Sequence, residues 1–296
     1  MNKIWLLLIS IFLLLSCQNQ VPEFDKDNAF RFLTEQCDLG FRYPGTEEIK
    51  LCRKYIISNL EPYASSITEQ KLSAEIDTIS YDGINIIAGF YPEMSRRILL
   101  GAHYDTREWA DKDSIQENHQ KHVLGANDGA SGVAVLLEIA RIISQNQPSQ
   151  FGIDLVFFDL EDAGTYGNMD TWCVGSAYFV NNFSGQKPEK VIIIDMVGDA
   201  DLNIFMEIYS YRSSPNLVKE VWSLARKLEY PEFIPKIKYM IEDDHLPFIK
   251  AGFNAIDIID FDYPYWHTIH DTPDKCSSES LYKVGQLLLH LIYKEQ

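Results

Sequence analysis

Six short motifs bring carboxylates and imidazoles together: His103-Tyr104-Asp105, Asp128 within Gly125-Ala126-Asn127-Asp128-Gly129-Ala130-Ser131-Gly132, Glu161-Asp162, Asp195, Glu242-Asp243-Asp244-His245, and Tyr263-Pro264-Tyr265-Trp266-His267. Each has an ordinary reading by itself. HYD suits a surface turn, an Asp before Gly-Ala suits a helix cap, and an Asp at a strand end is often only its last solvated residue. The set is what carries meaning. Gathering so many carboxylates at one place is costly unless a cation or shared protons compensate. Imidazole mixed with carboxylate is the ligand chemistry that a catalytic zinc accepts, with a position left open for water or substrate. The glycines around Asp128 let backbone approach such a centre closely.

The motifs fall where apolar runs stop. Strands are predicted over 85–91, 97–103, 153–159, 191–196, 205–209 and 255–259. Helices are predicted over 27–37, 47–63, 129–145, 172–181, 216–228, 246–251 and 278–293. Runs such as ILLGA, DLVFF and VIIID suit strands buried on both faces. Strands alternating with helices imply a three-layer α/β/α sandwich around a mixed, largely parallel central sheet. In such sheets ligands bind at the carboxyl ends of the strands, which is where the motifs lie. No repeat or linker divides residues 26–296, so a single catalytic domain is expected there.

Composition narrows the function. The chain has 296 residues, 46% of them apolar and 23% charged, which excludes global disorder. Its net charge of −17 opposes general nucleic-acid binding, because the chain would approach phosphates against its own field. The N-terminus has Lys3, then an apolar run from Ile4 to Leu15, too short to span a bilayer comfortably and suited to a secretory signal. Leu14-Leu15-Ser16-Cys17 resembles a bacterial lipoprotein cleavage site. That resemblance implies a signal peptide over 1–17, lipidation of Cys17, a polar tether over 18–25, and a lipid-anchored protein facing the periplasm or the cell surface. Cys37, Cys52, Cys173 and Cys276 remain; they form up to two bridges or stay as buried thiols, and their spacing fits no zinc-thiolate pattern.

The order HYD, NDGASG, ED, a strand-ending Asp and a late His resembles the zinc aminopeptidase (peptidase family M28-like) superfamily. Trp172 after Glu161-Asp162, the run EDDHLPF at 242–248, and YPYWHT at 263–268 resemble the glutaminyl cyclases within it, over roughly residues 30–290. The resemblance implies conversion of the N-terminal glutamine of peptides or proteins to pyroglutamate, with release of ammonia. It implies one zinc held by Asp128, Asp162 and His267, and Glu161 as proton shuttle. Asp195 and Asp243 would form a carboxylate chain behind Glu161, and Trp172, Trp266 and Tyr263 would line the substrate pocket. The chain has Glu161-Asp162 where the mammalian pattern has Glu-Glu, and its loop before Trp266 is slightly shorter. The same residues also fit a zinc aminopeptidase with two metal ions: His103 and Asp195 on one, Asp162 and His267 on the other, Asp128 bridging. A binding module that has lost catalysis would be expected to lack a ligand, and none is missing.

Some residues stand outside this pattern. The segment 111–122 (DKDSIQENHQKH) reads as a solvated loop over the site, with His119 and His122 at its surface. Asp257, Asp260 and Asp262 are expected to face solvent or the pocket rim. Asp105 suits either orienting His103 or capping the next loop.

Overall fold

The chain is described over residues 21–293 as a computed structural model. Cys17 and the expected signal segment lie outside these residues.

Helix α1 (Lys26–Asp38) starts where the Asp25 carboxylate accepts from the backbone N–H of Asp27 and Asn28. Helix α2 (Glu47–Leu60) is capped by Thr46 and carries two acids in its first turn, where the helix dipole favours them. Strands β1 (Ser66–Ile76) and β2 (Ile79–Phe90) follow as a hairpin, then β3 (Arg97–His103), α3 (Ala130–Gln145), β4 (Gly152–Phe158), α4 (Val174–Asn181) and β5 (Lys190–Asp195). The C-terminal third adds β6 (Ile204–Met206), α5 (Ile208–Ser213), α6 (Pro215–Lys227), β7 (Phe233–Ile237), α7 (His245–Lys250), β8 (Ala255–Ile259) and α8 (Ser278–Tyr293).

The main sheet has the order β1-β2-β4-β3-β5-β8. Its β4, β3, β5 and β8 run parallel, and the β1–β2 hairpin joins β4 antiparallel. The period of two along a strand divides the core. Ile98, Leu100, Ala102, Ile192, Ile194, Ile256 and Ile258 pack against α1, α3 and α8. Leu99, Val156, Phe158, Val191 and Ile193 pack against Phe179 of α4 and Phe248 of α7. The expected mixed, largely parallel sheet between helical layers is therefore present.

The differences have local causes. The strand predicted over 205–209 stops at Met206, because the Glu207 carboxylate accepts from Tyr209 and Ser210 N–H and starts α5. The helix predicted from 172 begins at Val174, after Cys173 in left-handed conformation (φ 52°). β1 was not legible: it is an edge strand with mostly exposed positions and no apolar run.

Residues 21–25, expected to be part of a polar tether, are docked instead. Phe24 is buried on α8, where a side chain at Gly285 would collide with its ring. Its N–H donates to Gln286 Oε1 at 2.8 Å, and Gln286 Nε2 donates to the Pro22 carbonyl at 3.1 Å. Any tether therefore ends before this anchor. Phe24→Ala should cost about 3 kcal/mol of unfolding free energy, read from urea denaturation; a change within error would mean that the segment adds nothing to the fold.

Candidate metal and catalytic site

Strand ends deliver the side chains. β3 ends at His103 and β5 at Asp195, and the turn after β4 carries Glu161-Asp162. Asp128 comes just before α3. Gly129 has φ +97°, and a Cβ there would lie 2.8 Å from the Asp105 carbonyl oxygen, so this turn requires glycine. Leu160, Cys173, Met196 and His267 also have positive φ (58°, 52°, 46° and 53°), which places four strained residues at the site.

Asp128 is the hub. Its Oδ1 lies 3.2 Å from His103 Nε2, and its Oδ2 lies 3.5 Å from His267 Nε2. His267 Nε2 is also 3.0 Å from Asp162 Oδ1, and His103 Nε2 is 3.1 Å from Asp195 Oδ1. All five residues are buried. Asp128, Asp162 and His267 offer ligand atoms within 4.8 Å of one another, and so do His103, Asp128 and Asp195. The set fits a divalent ion on a further ground: Asp128 Oδ2 and Asp162 Oδ2 are buried oxygens without a hydrogen-bond partner.

Other groups aim the ligands. His103 Nδ1–H donates to the Asp105 carbonyl at 3.1 Å, leaving Nε2 facing the carboxylates. His267 Nδ1 faces Asp111 Oδ1 at 3.3 Å and the Tyr166 hydroxyl at 3.1 Å. The Asp105 carboxylate accepts the N–H of Glu161 and of Asp162, each at 3.1 Å. The Asp271 carboxylate accepts the N–H of Asn127 at 2.8 Å and of Asp128 at 3.2 Å. Arg42, fully buried, donates to the Gly125 carbonyl at 2.7 Å. Asp105 thus both orients His103 and holds the turn after β4, rather than capping the loop that follows it in sequence.

The electrostatics follow from this crowding. Burial pushes the Glu161 carboxyl well above its usual range; repulsion from Asp162, Asp244 and Asp243 adds to that, against the pull of His103. Burial and Asp162 raise Asp128 to about 7. Burial works against Asp162 as well, but His267 and Arg107 outweigh it and hold this group at about 2. Burial would lower His267, yet Asp162 and Asp111 raise it to about 9. Protons here hold together a set of groups that a divalent cation would hold in their place.

Asp195 and Asp243 stand as neighbours behind Glu161: after burial, the Asp195 charge does most to raise the Asp243 carboxyl, Asp243 lies beside Glu161 and Cys173, and Asp195 also bonds His103. Other supporting residues depart from expectation. Tyr263 is buried behind the ligand loop, its hydroxyl donating to Asp271 Oδ1 at 2.7 Å, rather than on the open side of the cluster. Asp257 and Asp260 are fully buried, and only Asp262 is exposed. Asp257 stands beside His245, and Asp260 accepts the N–H of Asn203 and Asp262. The reason is that 255–260 is an interior edge of the sheet, covered by α5 and the β6–β7 pair.

Trp266 and Trp172 flank His267, with ring centroids 4.1 Å and 6.2 Å away, the latter nearly parallel at 8°. Tyr166, Asp111, Arg107, Cys173 and Asp271 were not found from sequence, since no local pattern marks them. Cys173 donates its S–H to Glu161 Oε1 at 3.3 Å. His119 and His122 are separately occupied, by the Asp113 carbonyl and by stacking between Tyr43 and Trp109. Cys37, Cys52, Cys173 and Cys276 are all free and buried.

The parallel sheet, the strand-end ligands and the carboxylate-bridged imidazoles define a zinc exopeptidase-like α/β protein. Residues 85–292 match peptidase family M28, and the chain belongs to that family. It is 40% identical to a Bacteroides thetaiotaomicron glutaminyl cyclase solved with N-acetylhistamine (TM-score 0.90, covering 94% of this chain and 100% of that one). It is equally 40% identical to a structure described as a leucine aminopeptidase precursor from the same organism (TM-score 0.91, covering 94% and 99%). The bovine glutaminyl-peptide cyclotransferase is 24% identical over 298 residues, covering 84% of this chain and 77% of the bovine protein.

Burial raises Asp260 from 3.8 to about 7. A carboxyl raised on folding stabilises the native state below its unfolded pKa, and that contribution is lost as pH rises through the folded value. Wild-type stability relative to Asp260→Asn should therefore fall between pH 3.8 and about 7, measured by urea titrations at stepped pH. A difference that stays constant across that window would show that Asp260 ionises normally.

Proposed function

We propose that the protein is a zinc-dependent glutaminyl-peptide cyclotransferase acting on peptides or proteins with N-terminal glutamine. The observation that carries this reading is Glu161: a carboxyl surrounded by other acids, adjacent to the Asp128–Asp162–His267 ligand set, with Trp172 and Trp266 on either side of His267. The likeness to the Bacteroides glutaminyl cyclase supports it.

One zinc, held by Asp128, Asp162 and His267, would supply Lewis acidity towards the γ-carboxamide oxygen of the glutamine. The chain's own residues do the rest. The neutral α-amino group attacks the γ-carbon, and Glu161 accepts the proton that the attacking nitrogen sheds as the ring C–N bond forms. Glu161 then returns the proton to the departing nitrogen as the original C–N bond breaks, giving pyroglutamate and ammonia. A carboxyl with a raised pKa suits both transfers, and Asp243 and Asp244 help to keep it raised. Because both reacting groups belong to one residue, the main task is to hold a cyclic conformation and exclude water. Trp172 and Trp266 supply rigid apolar walls for that purpose.

A two-metal aminopeptidase is the second reading. It is supported by the intact His103–Asp128–Asp195 triad and by the structure described as a leucine aminopeptidase precursor. There Glu161 would activate water for hydrolysis. Incubation with glutaminyl peptides separates the two by mass: loss of ammonia supports the cyclotransferase, and release of the first residue supports the peptidase. One zinc per chain is expected from metal analysis, and Glu161→Gln should lower turnover at least about a hundredfold while retaining that zinc. Turnover unchanged in this variant would remove Glu161 from the mechanism.

We further propose export and lipid anchoring through Cys17, on the Leu14-Leu15-Ser16-Cys17 motif. Among the described residues no helix is long and apolar enough to cross a membrane, so the anchor would rest on that segment. Cys17→Ala should move the protein from the membrane fraction to the soluble fraction. An unchanged membrane share would count against the lipid.

A further inference from the structure

The loop after Asp111 places a cation at the mouth of the site. The N–H of Lys112 donates to the carbonyl of the ligand residue His267 at 3.1 Å, which ties this position to the metal cluster. Its ammonium lies 4.0 Å from the ring centroid of Tyr166 and 5.6 Å from that of Trp266. Both rings also contact the site: the Tyr166 hydroxyl is 3.1 Å from His267 Nδ1, and the Trp266 ring lies 4.1 Å from that of His267, tilted by 31°. Lys112 is exposed, and it forms no ion pair among the described residues. Its neighbour Asp111 does not neutralise it, because that carboxylate is occupied by Arg107 Nε and Nη2 (3.0 and 2.6 Å) and by His267. Cation–π contacts of this kind hold an ammonium in place without discharging it.

The cation is therefore fixed and available in a chain of net charge −17, where the general field repels anions. Tyr166 is 48% exposed and Lys112 is exposed, so the rings that Lys112 spans lie on a solvent-facing side of His267, and a peptide that leaves His267 on that side passes the ammonium. We propose that Lys112 is a specificity-determining residue that selects peptides bearing a carboxylate on the second residue. The cyclotransferase reading enters only through the identity of the first residue, glutamine.

The test uses the zinc-loaded protein and C-terminally amidated peptides Gln-Glu-Ala-Phe, Gln-Gln-Ala-Phe and Gln-Lys-Ala-Phe, with Gln-Gln as free acid and as amide to separate a side-chain carboxylate from a terminal one. For wild type, kcat/KM should be about threefold higher for Glu than for Gln at position two, and lower again for Lys. The spread should narrow as salt screens the charges. Lys112→Gln should abolish the preference, and Lys112→Glu should invert it. A merely structural strap over Tyr166 and Trp266 would slow all peptides by one common factor, and that result overturns the proposal. Preference only for the free-acid dipeptide overturns it too. Products are scored by mass, so release of the first residue would refute the cyclotransferase while the charge series still judges Lys112. With no turnover, calorimetric affinities for the same peptides apply, and equal affinities for Glu and Lys reject the assignment.

Discussion

The structure depends on the cost of packing carboxylates together out of water. Asp128, Asp162, Asp195 and Glu161 meet in a buried space, and the imidazoles of His103 and His267 are the only bases interleaved with them among these ligands. Such a set is stable only with bound protons or a bound cation. The raised carboxyls of Asp128 and Glu161 show the first solution, and the unpartnered oxygens of Asp128 and Asp162 are poised for the second. One repulsive concentration of charge thus suits both a divalent cation and a carboxyl that keeps its proton.

The scaffold resists that repulsion through main-chain anchoring more than through side-chain pairing. Asp105 clamps the two consecutive N–H groups of Glu161 and Asp162, and Asp271 does the same for Asn127 and Asp128. These are charge-assisted bonds in a dry interior, where they are stronger than neutral ones. The Asp105 clamp follows directly on Leu160, whose backbone has positive φ, and so holds the Glu161-Asp162 turn in place.

Asp128 belongs to both triads of the inner frame. What distinguishes this site lies outside that frame. Trp172, Trp266 and Tyr166 surround His267, and Lys112 spans two of those rings. The groups that crowd Glu161, including Asp243, Asp244 and Cys173, come from the far end of the chain and from the α4 turn. The residues that surround the inner frame therefore come largely from loops carried by the sheet.

Sequence alone determined the parallel sheet and the inner residues. The strands are largely apolar runs, so the polar residues where they stop are visible, as at His103, Asp195 and, just past β4, Glu161-Asp162. The glycines beside Asp128 are local steric requirements and equally visible. Tertiary structure alone decided the supporting roles. Asp271 reaches Asp128 across 143 residues, and Tyr263 serves that Asp271 instead of the pocket. Asp257 and Asp260 are buried because helix α5 and the β6–β7 pair cover them, and the polar-looking segment at 21–25 docks because α8 offers Gly285 to Phe24. A chain pattern records which side chains avoid water; which distant group lies opposite a given atom is set only when the layers pack.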